Sequence, residues 1–131
     1  MTDEDERSLA AEVLYEGVRH RVLVLFPSEF WAYVGHLSDS DQWRVFALVA
    51  ESAEHGIPRH NPEKCLRLKG EAYAGIWELK AKAQRLLFFV HGSDLVITNW
   101  FRKQRERGEP AEYRRACQRR DLYLQTMEGP S

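Results

Sequence analysis

The sequence predicts an α/β fold of the α+β kind: a helical hairpin packed on a small, mostly antiparallel, twisted sheet, with a further helix at the C-terminal end. Three observations lead there. Between residues 28 and 56 apolar side chains recur at the helical spacings of three and four, interrupted by Ser38, Asp39 and Ser40. Between residues 76 and 101 three short runs rich in aromatic and β-branched residues are separated by gaps of hairpin length. Apolar helical stripes and a strand meander each need a covering layer, and each can cover the other.

Leu9, Val13, Leu14 and Val18 stand at near-helical spacing behind Ser8, so residues 8–18 are expected to form a short amphipathic helix. Residues 21–26 read Arg-Val-Leu-Val-Leu-Phe, an apolar run closed by Pro27 that suits a buried strand of the same sheet. Ser28 then caps a helix with the stripe Phe30, Trp31, Val34 and Leu37. A second helix starts at 38–40, carries Trp43, Phe46, Ala47, Val49, Ala50 and Ala53, and stops at Gly56. Pro58, Pro62, Gly70 and Gly75 punctuate the charged stretch 57–75, which predicts a loop with one short strand over 64–69. Strands over 76–80, 85–91 and 95–101 follow as an antiparallel meander. Residues 110–124 return to a helix, with a thin stripe of Tyr113, Ala116, Cys117 and Leu124 and a basic face.

At 131 residues the chain is long enough for one core and too short for two. A single domain over 1–131 is expected, with its core over about 21–124 and flexible ends at 1–7 and 128–131. No apolar run approaches the roughly 18 residues of a membrane span, and the acidic start is unlike a leader, which predicts a cytoplasmic protein with no membrane partner. Cys65 and Cys117 stand alone and the five histidines are dispersed, so buried thiols, no metal and no cofactor are expected.

The formal net charge of −1 hides an asymmetry. Residues 1–63 hold 5 basic and 12 acidic side chains, whereas 64–131 hold 14 basic and 8 acidic. A basic second half is the footprint of a nucleic-acid binder, although charge also serves simply to solvate helix faces.

That second half carries a motif series. Leu66-Arg67-Leu68-Lys69-Gly70, Ile76-Trp77-Glu78-Leu79-Lys80, Arg85-Leu86-Leu87-Phe88-Phe89 and Asn99-Trp100-Phe101-Arg102-Lys103 follow one another in this order, with Gly56-Ile57-Pro58 upstream and Pro110 and Ala116-x-x-Arg119 downstream. The series resembles the HigB-like, phage-derived branch of the RelE/ParE toxins over about residues 21–124. Two positions depart from the family's usual pattern: Lys80 stands where arginine is common, and Trp100 where a small residue or histidine is common. Lysine keeps the charge but lacks the planar fork that grips two phosphate oxygens.

The resemblance implies a RelE-like fold and the toxin of a type II toxin–antitoxin pair, a ribosome-dependent endoribonuclease that cuts messenger RNA by metal-free attack of the 2′-hydroxyl. It implies three partners: the ribosome, its mRNA, and a cognate antitoxin with a helix-turn-helix domain. Two other outcomes stay open within the same fold: a ParE-like toxin that binds DNA gyrase without catalysis, and a degenerate, harmless binding module.

Such cleavage needs a proton acceptor, a proton donor, and positive charge for the phosphorane. Lys80 shares a strand face with Glu78, and Arg85 starts the adjacent strand across a short turn. Arg102 and Lys103 end the last strand, so Lys80, Arg85, Arg102 and Lys103 are expected to converge as one basic catalytic patch. Glu78 reads more simply as a solvated partner of Lys80 or Arg85. Arg67, Lys69, Arg105 and Arg107 lie on loop segments and suit RNA backbone contacts. Trp77, Trp100, Phe88 and Phe89 offer stacking surfaces but read more readily as core. His91, at a strand end, is either a proton donor near the patch or a solvated turn residue.

Overall fold

Alternation along the strands divides the core in two. The computed structural model describes residues 9–104, 106 and 108–128. In these, β1 (Ala11–Glu16), β2 (Arg21–Leu25), β3 (Cys65–Arg67), β4 (Trp77–Ala81), β5 (Gln84–His91) and β6 (Asp94–Arg102) form one sheet, in the order β1-β2-β6-β5-β4-β3. Every neighbouring pair is antiparallel except β2 and β6. A parallel pair requires a crossover, and much of this one is the helical hairpin of α1 (Pro27–Gly35) and α2 (Asp39–His55). The hairpin packs on Val22, Val24, Leu79, Leu86, Phe88, Leu95 and Ile97. α3 (Pro110–Glu128) covers the opposite face, on Leu23, Leu25, Ile76, Leu87, Phe89 and Val96. With both faces covered, β2 and β5 read as continuous apolar runs rather than alternating ones.

The helices begin where local chemistry allows. Pro27 occupies the first turn of α1, behind Phe26 in the left-handed region at φ 53°, so the helix starts a residue before Ser28 and has no side-chain cap. Ser38 caps α2, its Oγ accepting from the Asp41 N–H at 3.2 Å.

The expected helix over 8–18 is instead the strand β1. Its apolar residues do not share a buried stripe, since Val13 is 43% and Val18 83% exposed. The backbone of β2 needs a partner on the side away from β6, and β1 supplies it through a ladder irregular between Val13 and Tyr15. That irregularity blurs the strand's alternation. Upstream of residue 21 Leu9 is also buried, and α3 runs past 124 to Glu128. The ends 1–8 and 129–131 lie outside the described residues, and with them most of the two expected flexible segments.

One glycine is required by close approach. A Cβ built on Gly17 would lie 2.4 Å from the carbonyl carbon and oxygen of Ala53 in α2. The same oxygen accepts from the Arg19 and His20 N–H groups, both at 2.9 Å, so neither segment can retreat without breaking those bonds. Gly17→Ala is therefore expected to destabilise the fold by about 2 kcal/mol or more. An unchanged urea midpoint would show that the turn yields freely.

A bulge in β6 settles the other side. Ile97 pairs with Phe88 and Asn99 with Leu87, leaving Thr98 as the extra residue. Asn99 thereby turns toward α3 and donates to the Glu112 carbonyl at 3.0 Å, while Trp100 turns to the hairpin and meets Phe30 edge-on at 5.1 Å. Arg119 of α3 donates to the Thr98 carbonyl at 3.0 Å and to Glu29 of α1 at 2.9 Å, its guanidinium 4.0 Å from the Phe26 ring centroid. It is a tie between layers.

Candidate active site

β4 and β5 are joined by a two-residue turn, and their register pairs Lys80 with Arg85 and Glu78 with Leu87. Paired residues share a face, as do residues two apart in a strand, so Glu78, Lys80 and Arg85 all stand on the α3 side. Glu78 and Arg85 are not solvated there. They are 5% and 8% exposed, and Arg85 Nε lies 3.1 Å from Glu78 Oε1. The Nε–H is not aimed along that line, so the contact is an ion pair without an aligned hydrogen bond. Burial corrects the expected surface pair. Tyr113 of α3, close enough to feel both charges, meets Tyr73 of the 3-10 turn Glu71–Tyr73 edge-on at 5.4 Å.

Burial pushes the Glu78 carboxyl above its ordinary pKa, and Arg85, Lys80 and Lys103 pull it back in that order. Burial also raises the Tyr113 hydroxyl, with Glu78 adding to the rise and Arg85 opposing it. These groups are thus one electrostatic unit. Within it Arg85 is committed to structure, its Nη1 donating to the carbonyls of Lys82 and Gln84. Lys82 is held in the left-handed region, φ 55°, so Arg85 braces the turn as well as facing Glu78.

Lys80 and Lys103 are half-buried and have no carboxylate within ion-pair distance among the described residues. Lys80 Nζ donates to the Pro62 carbonyl at 2.9 Å, and the Lys103 N–H donates to Ala83 at 2.8 Å, which ties the end of β6 to the turn. These are the cations that can meet an incoming anion.

Arg102 is separated from them. It pairs with Gln84, on the hairpin face, where the Tyr33 hydroxyl donates to the Gln84 side chain. Burial raises that hydroxyl to about 12, with Asp41 adding and Arg102 opposing. The cause of the separation is the bulge at Thr98. Regular alternation from Ile97, which faces the hairpin, would carry Arg102 to the α3 face, and one extra residue reverses it. The expected single patch is therefore two surfaces.

Arg67 and Lys69 are exposed at and beyond the edge strand β3. The Arg67 guanidinium lies 5.8 Å and that of Arg59 5.7 Å from the Trp77 ring centroid. Arg105 and Arg107 lie outside the described residues. Phe88 and Phe89 are buried core, and Trp77 is half-buried against Phe88. His91 ends β5 against Tyr123, seven residues along the strand from Gln84, so it lies at the far end of the sheet from Arg85. Cys65 is buried and its thiol pushed up to about 11, and burial also raises half-buried Cys117, so neither is an activated nucleophile. Among the described residues no group of three or more His, Cys, Asp or Glu side chains gathers to hold a metal, and no helix is long and apolar enough to cross a membrane.

Sequence reasoning missed the burial of Glu78 and the closeness of Tyr113 to its charge. The signal for Glu78 was its place between Trp77 and Leu79 in a strand whose other face is also covered. Comparison with curated proteins finds no match. Residues 32–121 match the profile of a family described as Phage derived protein Gp49-like (DUF891), a span running from within α1 through β3–β6 into α3. That match covers most of the 131 residues, and the chain belongs to the Gp49-like family, a toxin family of type II toxin–antitoxin systems.

Proposed function

We propose that this chain is the toxin of its pair, a RelE/HigB-like endoribonuclease that cuts messenger RNA on the ribosome without a metal. The observation that carries the reading is the placement of Lys80 and Lys103, free of acidic partners, around the buried Glu78–Arg85 pair. In this reading the 2′-hydroxyl attacks the neighbouring phosphorus and the 5′-oxygen leaves. Lys80 and Lys103 hold the charge of the phosphorane. Tyr113 holds its hydroxyl proton at neutral pH, as an ordinary phenol does and the more so for the rise that burial causes, and it donates to the leaving oxygen. Glu78 and Arg85 are positioning residues beneath them. Arg67, Lys69, Arg105 and Arg107 serve as flanking phosphate contacts, and Arg102 joins that flanking set from the other face.

The decisive experiment induces the chain alone in a bacterium and maps transcript 5′ ends. New ends clustered inside open reading frames are expected. Toxicity without such ends would point to a gyrase-binding, non-catalytic toxin, and normal growth to a harmless module.

Lys80→Arg separates two roles for that residue. If Lys80 supplies charge alone, arginine sustains single-turnover cleavage of ribosome-bound message. If Lys80 accepts the 2′-hydroxyl proton, arginine abolishes it, because guanidinium does not deprotonate.

An antitoxin partner follows from the family, and we propose a helix-turn-helix protein whose acidic or apolar segment covers the basic half. Arg115 is 54% exposed at its side chain, whereas Arg119 is 13% exposed and ties three elements together. Arg115→Glu is thus expected to weaken a co-purifying complex with the fold intact, and Arg119→Glu to lower the melting temperature of the toxin itself. A complex indifferent to Arg115→Glu and to salt would remove this surface from the interface.

A further inference from the structure

Trp43 is 72% exposed on α2, although Phe46, one turn on, packs against Phe30 and Trp31. Beside Trp43 a hollow of about 330 Å³ opens between α2 and the β4–β5 turn. Ala47, Leu48 and Ala81 give it an apolar floor. Of the cations on its rim, Arg44 is paired with Asp41 and Lys64 with Glu51, each at 3.1 Å. Lys80 and Lys82 are left with no carboxylate within ion-pair distance among the described residues. Lys82 sits at the turn braced by Arg85, so its backbone position is set.

We propose that this hollow is a subsite for one unpaired nucleotide, its base against Trp43 and the apolar floor and its phosphate at Lys82 on the rim. The proposal rests on the reading of the chain as an RNA-cutting toxin in one respect: the nucleotide is one of the message. Lys80 lines the edge of the hollow while its strand face carries Glu78, so the hollow and the Glu78 cluster lie on the two sides of β4. The volume is near the low end for ligand sites, about 300–1,000 Å³, and matches one ring better than a folded peptide segment. An exposed indole beside unpaired cations is the combination that binds single strands by stacking and charge. The lining has no amide or hydroxyl side chain to read a base edge, and its Arg44 and Glu51 are held in ion pairs with Asp41 and Lys64. The subsite therefore tolerates any base and favours purines by their larger stacking face.

Binding is measured by fluorescence anisotropy of the full chain with a short, labelled single-stranded oligodeoxynucleotide. Lacking the 2′-hydroxyl, this probe cannot be cut by the proposed chemistry, so binding is read apart from cleavage. Trp43→Ala is expected to weaken binding about tenfold, and Trp43→Phe to keep it within about threefold, because a phenyl ring still stacks. Lys82→Ala is expected to reduce the slope of log affinity against log salt by about 0.7, the share of one phosphate on a single strand. Far-UV circular dichroism verifies folding, which removal of so exposed a side chain leaves intact. Unchanged affinity in Trp43→Ala, or no binding by the wild-type chain, overturns the proposal, the first outcome leaving the hollow to a protein partner. Trp43-dependent binding without new transcript ends on expression would uphold the subsite and sink the cleavage reading. New ends with Trp43-independent binding would do the reverse.

Discussion

Arg85→Ala is expected to lower the unfolding free energy by about 3–5 kcal/mol, the usual cost of stripping one partner from a buried ion pair. The variant leaves Glu78, 5% exposed in the native fold, without its main opposing charge and frees the Lys82 and Gln84 carbonyls of their donor. Replacing both partners, as in Arg85→Met with Glu78→Leu, is expected to recover much of the loss, because the desolvated charge goes with its partner. The effect has a pH signature. Burial already holds the Glu78 pKa above its ordinary value, so its contribution to stability is present below that value and is lost as pH rises through the raised one. Arg85 is the largest influence pulling it down, and without Arg85 the folded-state pKa climbs further. The deficit of Arg85→Ala relative to the native chain should accordingly widen from acid toward neutral pH. Urea titrations at several pH values measure it, and a deficit under about 1 kcal/mol, or one flat with pH, would show that the pair is as weak as a surface one.

The second large effect concerns cleavage. Lys103→Ala and Lys80→Ala are each expected to slow single-turnover cutting of ribosome-bound message by about a hundredfold or more, the scale of removing one preorganised donor to a developing anion. Arg102→Ala, with its side chain on the hairpin face, is expected to stay within about threefold, as for an exposed charge worth under 1 kcal/mol. This contrast is specific to the bulge. Were Thr98 not an extra residue, Arg102 would stand with Arg85, and its loss would cost as much as that of Lys103. A hundredfold loss in Arg102→Ala with native rates for Lys103→Ala would move the site to the other face of the sheet. Folding is tracked alongside by thermal melts, since both lysines are only half-buried and their truncation leaves the core alone.

The type and order of most elements were legible by sequence alone, because they depend on local periodicity. The helices α1 and α2, the Ser38 cap, the Pro27 boundary, the short β3 and the β4–β5–β6 meander lie within a residue or two of where spacing placed them, but the buried face of α2 is Val45, Leu48, Val49, Ser52 and Ala53 rather than the stripe led by Trp43. The shared face of Glu78, Lys80 and Arg85 was legible for the same reason, since a two-residue turn leaves one register and a strand alternates. What tertiary structure decided was whatever depended on a partner distant in the chain. Residues 11–16 became a strand because β2 lacked a neighbour, a need recorded in the backbone of β2 rather than in the side chains of β1. The bulge at Thr98 leaves no mark in the apolar pattern, yet that one residue chose the face for Asn99, Trp100, Phe101 and Arg102. The assembled layers took Glu78 and Arg85 out of water and turned an apparent surface pair into a buried one, and the packing of α2 left Trp43 in solvent beside the turn. Faces and burial belong to the assembled layers, because a side chain's surroundings are set by elements that the sequence brings near it only after folding.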